Sequence, residues 1–212
     1  LEAVVEYTFG KDYKDNIIFS TTKYPQEQLN LLYNTADAQI LLTSNEGWGL
    51  TLTESLLVGN PIIANVTGGM QDQMRFIDGK GNWFTNTPEI PSNHNKTFTE
   101  HGEWVLPVYP KALGLVGSPT TPYIWDSRCD FKDARDKILE LYKMSSEERK
   151  SRGNKGREWA LGDEAGFTSS NMGDRFAEGM EELFLTWTPR SRFTFWKDTD
   201  FKPRTLNHKL EY

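Results

Sequence analysis

Two glutamates, Glu46 and Glu54, flank a glycine-rich turn and are the side chains of this sequence best spaced for chemistry. The residues between them are Gly47, Trp48, Gly49, Leu50, Thr51, Leu52 and Thr53. An ionised carboxylate accepts hydrogen bonds from neighbouring hydroxyl groups. Glycines let a backbone approach a ligand closely, and the free N–H groups at a helix start can hold an anion. The pattern therefore predicts a site that binds hydroxyl groups and phosphate together.

The elements around the two glutamates determine where each carboxylate would lie. The apolar run from Ala38 to Thr43 predicts a buried strand, and Leu50 to Val58 predicts a helix that a glycine and a proline end. Glu46 would then lie on the loop at the carboxyl end of the strand, and Glu54 inside the next helix. Two acids with an amide cradle between them suit a nucleotide sugar.

The same alternation extends along the first third of the chain. Further strands are predicted at 16–19 and 61–65, and further helices at 26–36 and 71–77. Strands that alternate with helices at short spacing indicate a parallel sheet with helical crossovers. We therefore predict an α/β, Rossmann-like fold, in which ligands bind beyond the carboxyl ends of the strands.

Composition excludes several classes of function. The net charge of −6 over 212 residues argues against a nucleic-acid partner, which requires clustered cations. The single cysteine, Cys129, rules out an internal disulfide framework and fits a reducing compartment. Neither an apolar run of membrane-spanning length nor a signal peptide is visible, so a cytoplasmic location is predicted, with peripheral membrane contact left open.

The second half of the chain is organised differently. Residues 82–128 are rich in proline and lack a clear period, which predicts a loop insertion. Helices resume after it, and the Met and aromatic stripe of the helix predicted at 171–185 is expected in the core. The tail, 187–212, mixes aromatic and basic residues and is predicted to dock on a partner domain or subunit. Residues 1–186 would form the nucleotide-sugar-binding domain.

The run from Leu29 to Gly69 resembles the donor-binding, C-terminal half of retaining GT-B glycosyltransferases of the group 1, or family-four, type. The features that carry the resemblance are Ala36-Asp37 before the strand, the Glu-Gly-aromatic-Gly turn, the second glutamate and the Gly-x-Pro-apolar strand. The resemblance implies a hexosyltransferase that uses a nucleotide-diphosphate sugar and requires no metal or other cofactor.

The resemblance also implies a role for each residue of the site. Glu46 would contact the donor sugar at its reacting face, which makes it the catalytic candidate. Glu54 would accept hydrogen bonds from the ribose hydroxyls, and Tyr24 with Leu29 would flank the base. The diphosphate would be held by five successive backbone amides, those of Gly47, Trp48, Gly49, Leu50 and Thr51.

Some parts of the family pattern differ here. The Arg and Lys that clamp the diphosphate in the family have no counterpart, and Gly69-Met70-Gln71-Asp72 replaces the usual Gly-x-Pro-Glu. The expected partner is therefore a separate N-terminal acceptor domain or a second copy of the chain. Two alternatives remain open, namely a non-catalytic GT-B-like interaction module and an enzyme like a nucleotide-sugar epimerase.

Overall fold

The structure is a computed structural model that describes residues 1–189, with no side-chain description for Thr121. Contacts divide the chain into two compact units, Leu1–Thr168 and a second unit that begins at Ser169. The helices of the first unit are α1 (Glu2–Phe9), α2 (Gln26–Thr35), α3 (Leu50–Leu57), α4 (Met70–Met74), α5 (Phe131–Lys143) and α6 (Ser146–Leu161). Its strands are β1 (Gln39–Leu41), β2 (Ile62–Asn65), β3 (Val105–Val108), β4 (Pro110–Ser118) and β5 (Thr121–Cys129). Short 3-10 helices span Lys11–Asp15 and Asn93–Asn95.

Strands β1, β2 and β3 form a parallel sheet in that order, with helices in the crossovers. Gln39 lies opposite Ile62, and Ile62 lies opposite Val105. Helix α3 connects β1 to β2, and α4 follows β2. The predicted α/β, Rossmann-like sheet flanked by helices is confirmed.

The central strand β2 is buried on both of its faces, as expected for a covered parallel sheet. On one face, Ile62 and Ala64 lie in a cluster with Leu52 and Leu56 of α3. On the other face, Ile63 lies in a cluster that includes Leu106 of β3 and Ala134 and Leu141 of α5. The sheet is thus the middle layer of the first unit, and α3 is anchored to it by fully buried leucines.

A chain of aromatic rings extends this core toward the loop that precedes α3. Trp159 of α6 stacks on Trp104 at a centroid distance of 4.7 Å and meets the edge of Phe167 at 5.2 Å. Phe167 in turn meets Trp48 at 5.3 Å. One ring of the glycine-rich turn is therefore packed against the core of the unit.

The strand predicted at 16–19 is wrong. The amides of Asn16 and Ile17 both return to the carbonyl of Tyr13, closing the 3-10 helix, and Ile18 is 90% exposed. A strand needs a neighbour to pair its backbone groups, and these amides are already bonded locally. The helix at 26–36 and the strands at 38–43 and 61–65 are confirmed with slightly shorter bounds.

The loop predicted over 82–128 is also wrong in its second half, which contains β3 and a long antiparallel hairpin of β4 and β5. Strand β3 is four residues long and contains Pro107, so its apolar run is short. The hairpin strands contain glycines and prolines, which are more typical of loops. Most of their described side chains are not buried, so the sequence lacks the alternation of apolar and polar residues that identifies a strand. Its turn joins Ser118 to Thr121.

The base of this hairpin is attached to the end of β1. The amide of Ser127 donates to the carbonyl of Ser44 at 2.8 Å. The side-chain amide of Asn65, at the end of β2, donates to the carbonyls of Thr43 at 2.9 Å and Ser127 at 2.6 Å. The hairpin therefore begins at the same sheet edge as the glycine-rich turn.

The second unit contains helix α7 (Ser169–Thr186). Its stripe of Met and aromatic residues, expected in the core, is instead exposed, and no residue of α7 is buried. An apolar stripe at helical spacing is typical of a core helix, but the stripe alone does not determine what covers it. Most of the predicted tail, 187–212, lies outside the described residues, and the predicted boundary after 186 stays a prediction.

Candidate functional site

The loop between β1 and α3 turns sharply at Gly49, which has the left-handed φ of 83°. A side chain there would be strained by the backbone conformation, and its β-carbon would lie 3.1 Å from Cγ of Met70. Gly49 is the N-cap of α3, so this turn sets the direction in which the helix begins. Glycine is therefore favoured here by the backbone conformation, and a β-carbon would in addition press on the side chain of Met70.

A second loop, after β2, closes against the first. The amide of Gly69 donates to the carbonyl of Gly47 at 3.1 Å. Gly68 lies so close to the carbonyl oxygen of Glu46 that a β-carbon at Gly68 would collide with it. The two loops at the carboxyl edge of the sheet thus form one packed unit, and Glu46 is positioned by both.

Gln73 of α4 forms hydrogen bonds with the backbone of the glycine-rich turn. Its side chain is fully buried, and its Nε2 donates to the carbonyl of Trp48 at 2.6 Å and to that of Gly49 at 3.3 Å. Its Oε1 accepts from the hydroxyl of Thr53 at 2.9 Å, which itself accepts from the indole N–H of Trp48 at 2.9 Å. Hydrogen bonds therefore hold both the backbone carbonyl and the indole ring of Trp48 in place.

These contacts determine the direction of the turn's amides. In a trans peptide the C=O and N–H groups point in opposite directions. The carbonyls of Trp48 and Gly49 are bonded inward, so the N–H groups of Gly49 and Leu50 point outward. The amides of Gly49, Leu50 and Thr51 donate no hydrogen bond to the described residues. This row of free donors at the start of α3 can bind an anion.

The side chain of Glu46 is half-buried beside this row. One carboxylate oxygen, Oε1, accepts a long hydrogen bond of 3.4 Å from the amide of Trp48. Within residues 1–189, no lysine or arginine forms an ion pair with it. The carboxylate is thus available to accept hydrogen bonds from ligand hydroxyls.

Glu54 lies one helical turn farther along α3 and is exposed. Its Oε2 accepts a 2.7 Å hydrogen bond from the hydroxyl of Tyr33 on α2. Partial burial, together with donation to Glu54, raises the pKa of Tyr33 well above its ordinary value. The phenol therefore stays protonated and keeps one oxygen of Glu54 in place.

A cavity of about 440 Å³ between α2 and α3 is lined by both Leu29 and Glu54. The structure thus brings together two of the residues predicted to contact the nucleoside. Tyr24 is not among the residues that line this cavity; it is exposed, and its hydroxyl accepts from Ser20 at 3.1 Å. Among the described residues, neither Tyr24 nor Trp48 forms a side-chain hydrogen bond with Glu54.

Sequence reasoning missed Tyr33, Thr53 and Gln73 as residues that support the site. Tyr33 was visible only as one member of the apolar stripe of α2, four residues after Leu29, which places both on one helical face. Nothing in the local pattern distinguished Gln73 from the other polar residues of its segment. Its position depends on how α4 packs under the turn, which is a tertiary feature.

Residues 1–189 contain neither a membrane-spanning helix nor a cluster of metal ligands. No helix in this range combines the length and the apolar character needed to cross a membrane. No group of three or more His, Cys, Asp or Glu side chains within it is arranged to hold a metal ion.

Comparison with known proteins identifies the segment that contains this site. The family described as "Glycosyl transferases group 1" matches residues 10–90. Trehalose synthases of Thermococcus litoralis and Pyrococcus furiosus are each 27% identical to this chain over 71 residues, and that of Pyrococcus horikoshii is 28% identical. The similarity covers 34% of this chain and 17% of each relative's length. Residues 10–90 of this chain, which contain the glycine-rich turn and both glutamates, are therefore similar to the group 1 glycosyl transferases.

Proposed function

We propose that this chain binds the donor of a glycosyl transfer reaction, a nucleoside-diphosphate sugar, at the turn between β1 and α3. The observation that carries the proposal is the row of unpaired amides from Gly49 to Thr51, which lies between two available carboxylates. It stands inside the segment that matches the group 1 glycosyl transferases. An anion site with hydroxyl-binding acids on both sides suits a diphosphate with a sugar at each end.

Each part of the donor then has a named contact. The diphosphate would lie at the start of α3, with its charge opposite the free N–H groups and the helix dipole. Glu54, held by Tyr33, would accept from the ribose hydroxyls, because it shares a cavity with Leu29 on the nucleoside side. Glu46 would accept from hydroxyls of the transferred sugar. Tyr24 does not line that cavity, and its contact with the base is proposed from the family resemblance alone.

The same geometry has a consequence for the reaction. When the bond between the sugar carbon C1 and the diphosphate oxygen breaks, the electron pair stays on the diphosphate. Donors aimed at that developing charge lower the barrier, since they are already oriented. The backbone amides would do this without a metal ion. Retention of configuration at C1 and a hexosyl donor are parts of this proposal that rest on the family resemblance.

The acceptor is proposed to bind outside this chain, on an N-terminal domain or on a partner subunit. The relatives named above are trehalose synthases, and trehalose is a disaccharide. A hexosyl donor with a sugar acceptor is therefore the first combination to test.

Calorimetric titration of the intact protein with UDP-, GDP- and ADP-hexoses tests the proposal. We expect one base to bind in preference to the other two, with Glu54→Gln weakening that donor about tenfold and the chelator EDTA having no effect. Glu27→Gln changes a neighbouring acid that lines the same cavity and serves as the matched control. Absence of binding for all three bases would refute the proposal, as would equal affinity of Glu54→Gln and the unchanged protein.

A second candidate, a GT-B-like interaction module, is favoured by one observation. The hairpin of β4 and β5 carries the cross-strand pair Leu115 and Trp125, which are 55% and 63% exposed. Contiguous exposed apolar surface is typical of interaction sites. A module would bind no donor yet associate through the hairpin, so light scattering of Trp125→Ser separates it from the enzyme.

A further inference from the structure

We infer that Gln73 is a positioning residue for the diphosphate of the donor. It would act by fixing the peptide planes of the turn, with no contact to the ligand itself. The inference rests on the proposed function, because it names what orients the amides of that same site. Nothing in the local sequence assigns Gln73 a role, and the resemblance to the family does not include it.

Every polar atom of the buried Gln73 side chain forms a hydrogen bond. Nε2 donates to the carbonyls of Trp48 and Gly49, and Oε1 accepts from Thr53. A buried amide with these bonds holds its partners in one geometry, since losing any of them leaves an unpaired polar group. An apolar side chain could fill the same space without binding the turn, so the amide contributes specificity of conformation.

Gln73 holds two particular peptide groups of the turn. The two carbonyls that accept from Gln73 belong to the peptide units that carry the N–H groups of Gly49 and Leu50. If either peptide rotated, its N–H would leave the outward row. Gly49 has no side chain to resist such a rotation, so the restraint must come from outside the turn. Among the described residues, Gln73 is the side chain that donates hydrogen bonds to both of these carbonyls.

Thr53 and Trp48 complete the restraint on the turn. The Thr53 hydroxyl links the Gln73 amide to the indole N–H of Trp48, whose ring is held by Phe167. The turn is thus fixed at its backbone and at its largest side chain by a single network. Preorganised donors bind a developing charge better than donors that must reorient.

The test compares two buried glutamines of the same helix. Gln73→Met removes the bonds to the turn. Gln71→Met is the control, because Gln71 is only 4% exposed and bonds to neither carbonyl of the turn. Its Oε1 accepts from Asn93 and Ser92, and its Nε2 donates to the carbonyl of Gly68 in the second loop. Both variants are titrated, as intact protein, with the nucleoside diphosphate of the preferred base and with the corresponding nucleoside. Urea unfolding shows that each variant is folded.

We expect Gln73→Met to weaken the diphosphate about tenfold, the equivalent of about 1.4 kcal/mol, while the nucleoside binds as before. Gln71→Met should leave the ratio of the two affinities unchanged. A purely structural role would lower both affinities together, so an unchanged ratio in Gln73→Met overturns the inference. If the unchanged protein binds no diphosphate, the proposed function itself has failed.

Thr53→Val keeps the inference testable if Gln73→Met does not fold. This variant retains the shape of the side chain and removes the hydroxyl between Gln73 and Trp48. We expect about a threefold loss for the diphosphate with the nucleoside unaffected. Equal affinity ratios in Thr53→Val and the unchanged protein would count against the network.

Discussion

The hydroxyl of Tyr33 donates a 2.7 Å hydrogen bond to Oε2 of Glu54, joining α2 to α3 beside the cavity that Leu29 and Glu54 line. Two residues separated by 21 positions therefore act as one unit. The bond leaves the other oxygen of Glu54 free and limits the rotamers of the carboxylate. A hydroxyl-binding acid held in this way loses less conformational entropy when a ligand binds.

Tyr33→Phe should weaken donor binding and also destabilise the fold slightly. Loss of one partly exposed hydrogen bond is expected to cost about 0.5–1.5 kcal/mol of unfolding free energy. Donor affinity should fall severalfold, because Glu54 loses its orientation. Calorimetry and urea unfolding measure the two effects, with Tyr13→Phe as the matched control, since the hydroxyl of Tyr13 donates to Glu2 rather than to Glu54. A donor affinity equal to that of the unchanged protein would show that Tyr33 does not orient Glu54.

The same pair predicts a pH dependence at alkaline pH. Burial and the bond to Glu54 raise the pKa of folded Tyr33 above the ordinary value of 10.0. A raised pKa in the folded state means that the unfolded chain loses its proton first. The stability contribution is therefore complete below pH 10.0 and is lost as the pH rises toward the higher folded pKa.

Urea unfolding of the unchanged protein and Tyr33→Phe between pH 8 and pH 12 measures this contribution as the difference between the two proteins. Titration of lysines affects both proteins alike and cancels in that difference. A difference that stays constant, or grows above pH 10.0, would contradict the prediction.

Gly49→Ala should damage the turn itself. The left-handed φ of 83° costs a non-glycine residue about 1–2 kcal/mol, and the new β-carbon would lie 3.1 Å from Met70. Relief of the contact would rotate the turn and disperse the row of amides, so diphosphate binding should fall more than tenfold. Gly47→Ala is the control, because a β-carbon at Gly47 meets nothing within 4 Å. Equal stability and binding of the two alanine variants would show that Gly49 is not needed for conformation.

The strand, turn and helix of the site could be predicted from sequence because their signals are local. A buried apolar run precedes Glu46, and glycines mark the turn at Gly49. Helix α3 has its buried leucines, Leu52 and Leu56, on one face. Each of these features is contained within a few residues, so no knowledge of the rest of the fold was needed.

The supporting network could not be predicted because its partners are distant in sequence. Gln73 bonds to a carbonyl 25 positions away, and Asn65 bonds to one 62 positions away. The hairpin was missed for a different reason. Its glycines and prolines, such as Gly117 and Pro122, are typical of loops, whereas here they lie within paired strands.

Asn65→Ala should release the hairpin from the sheet edge. Asn65 is fully buried, and its Nδ2 donates to the carbonyls of Thr43 and Ser127. Removal leaves both carbonyls without this donor, at an expected cost of about 1–3 kcal/mol. The amide of Ser127, which donates to Ser44, should then exchange with solvent markedly faster.

Hydrogen exchange followed by mass spectrometry measures that release peptide by peptide. Asn60→Ala is the matched control, since Asn60 is also buried but donates to the carbonyl of Tyr33 on α2. Faster exchange around Ser127 only in Asn65→Ala is the expected result. If the hairpin base exchanges at the same rate in both variants, Asn65 does not hold it, and the bond from Ser127 to Ser44 suffices to keep the hairpin at the edge of the site.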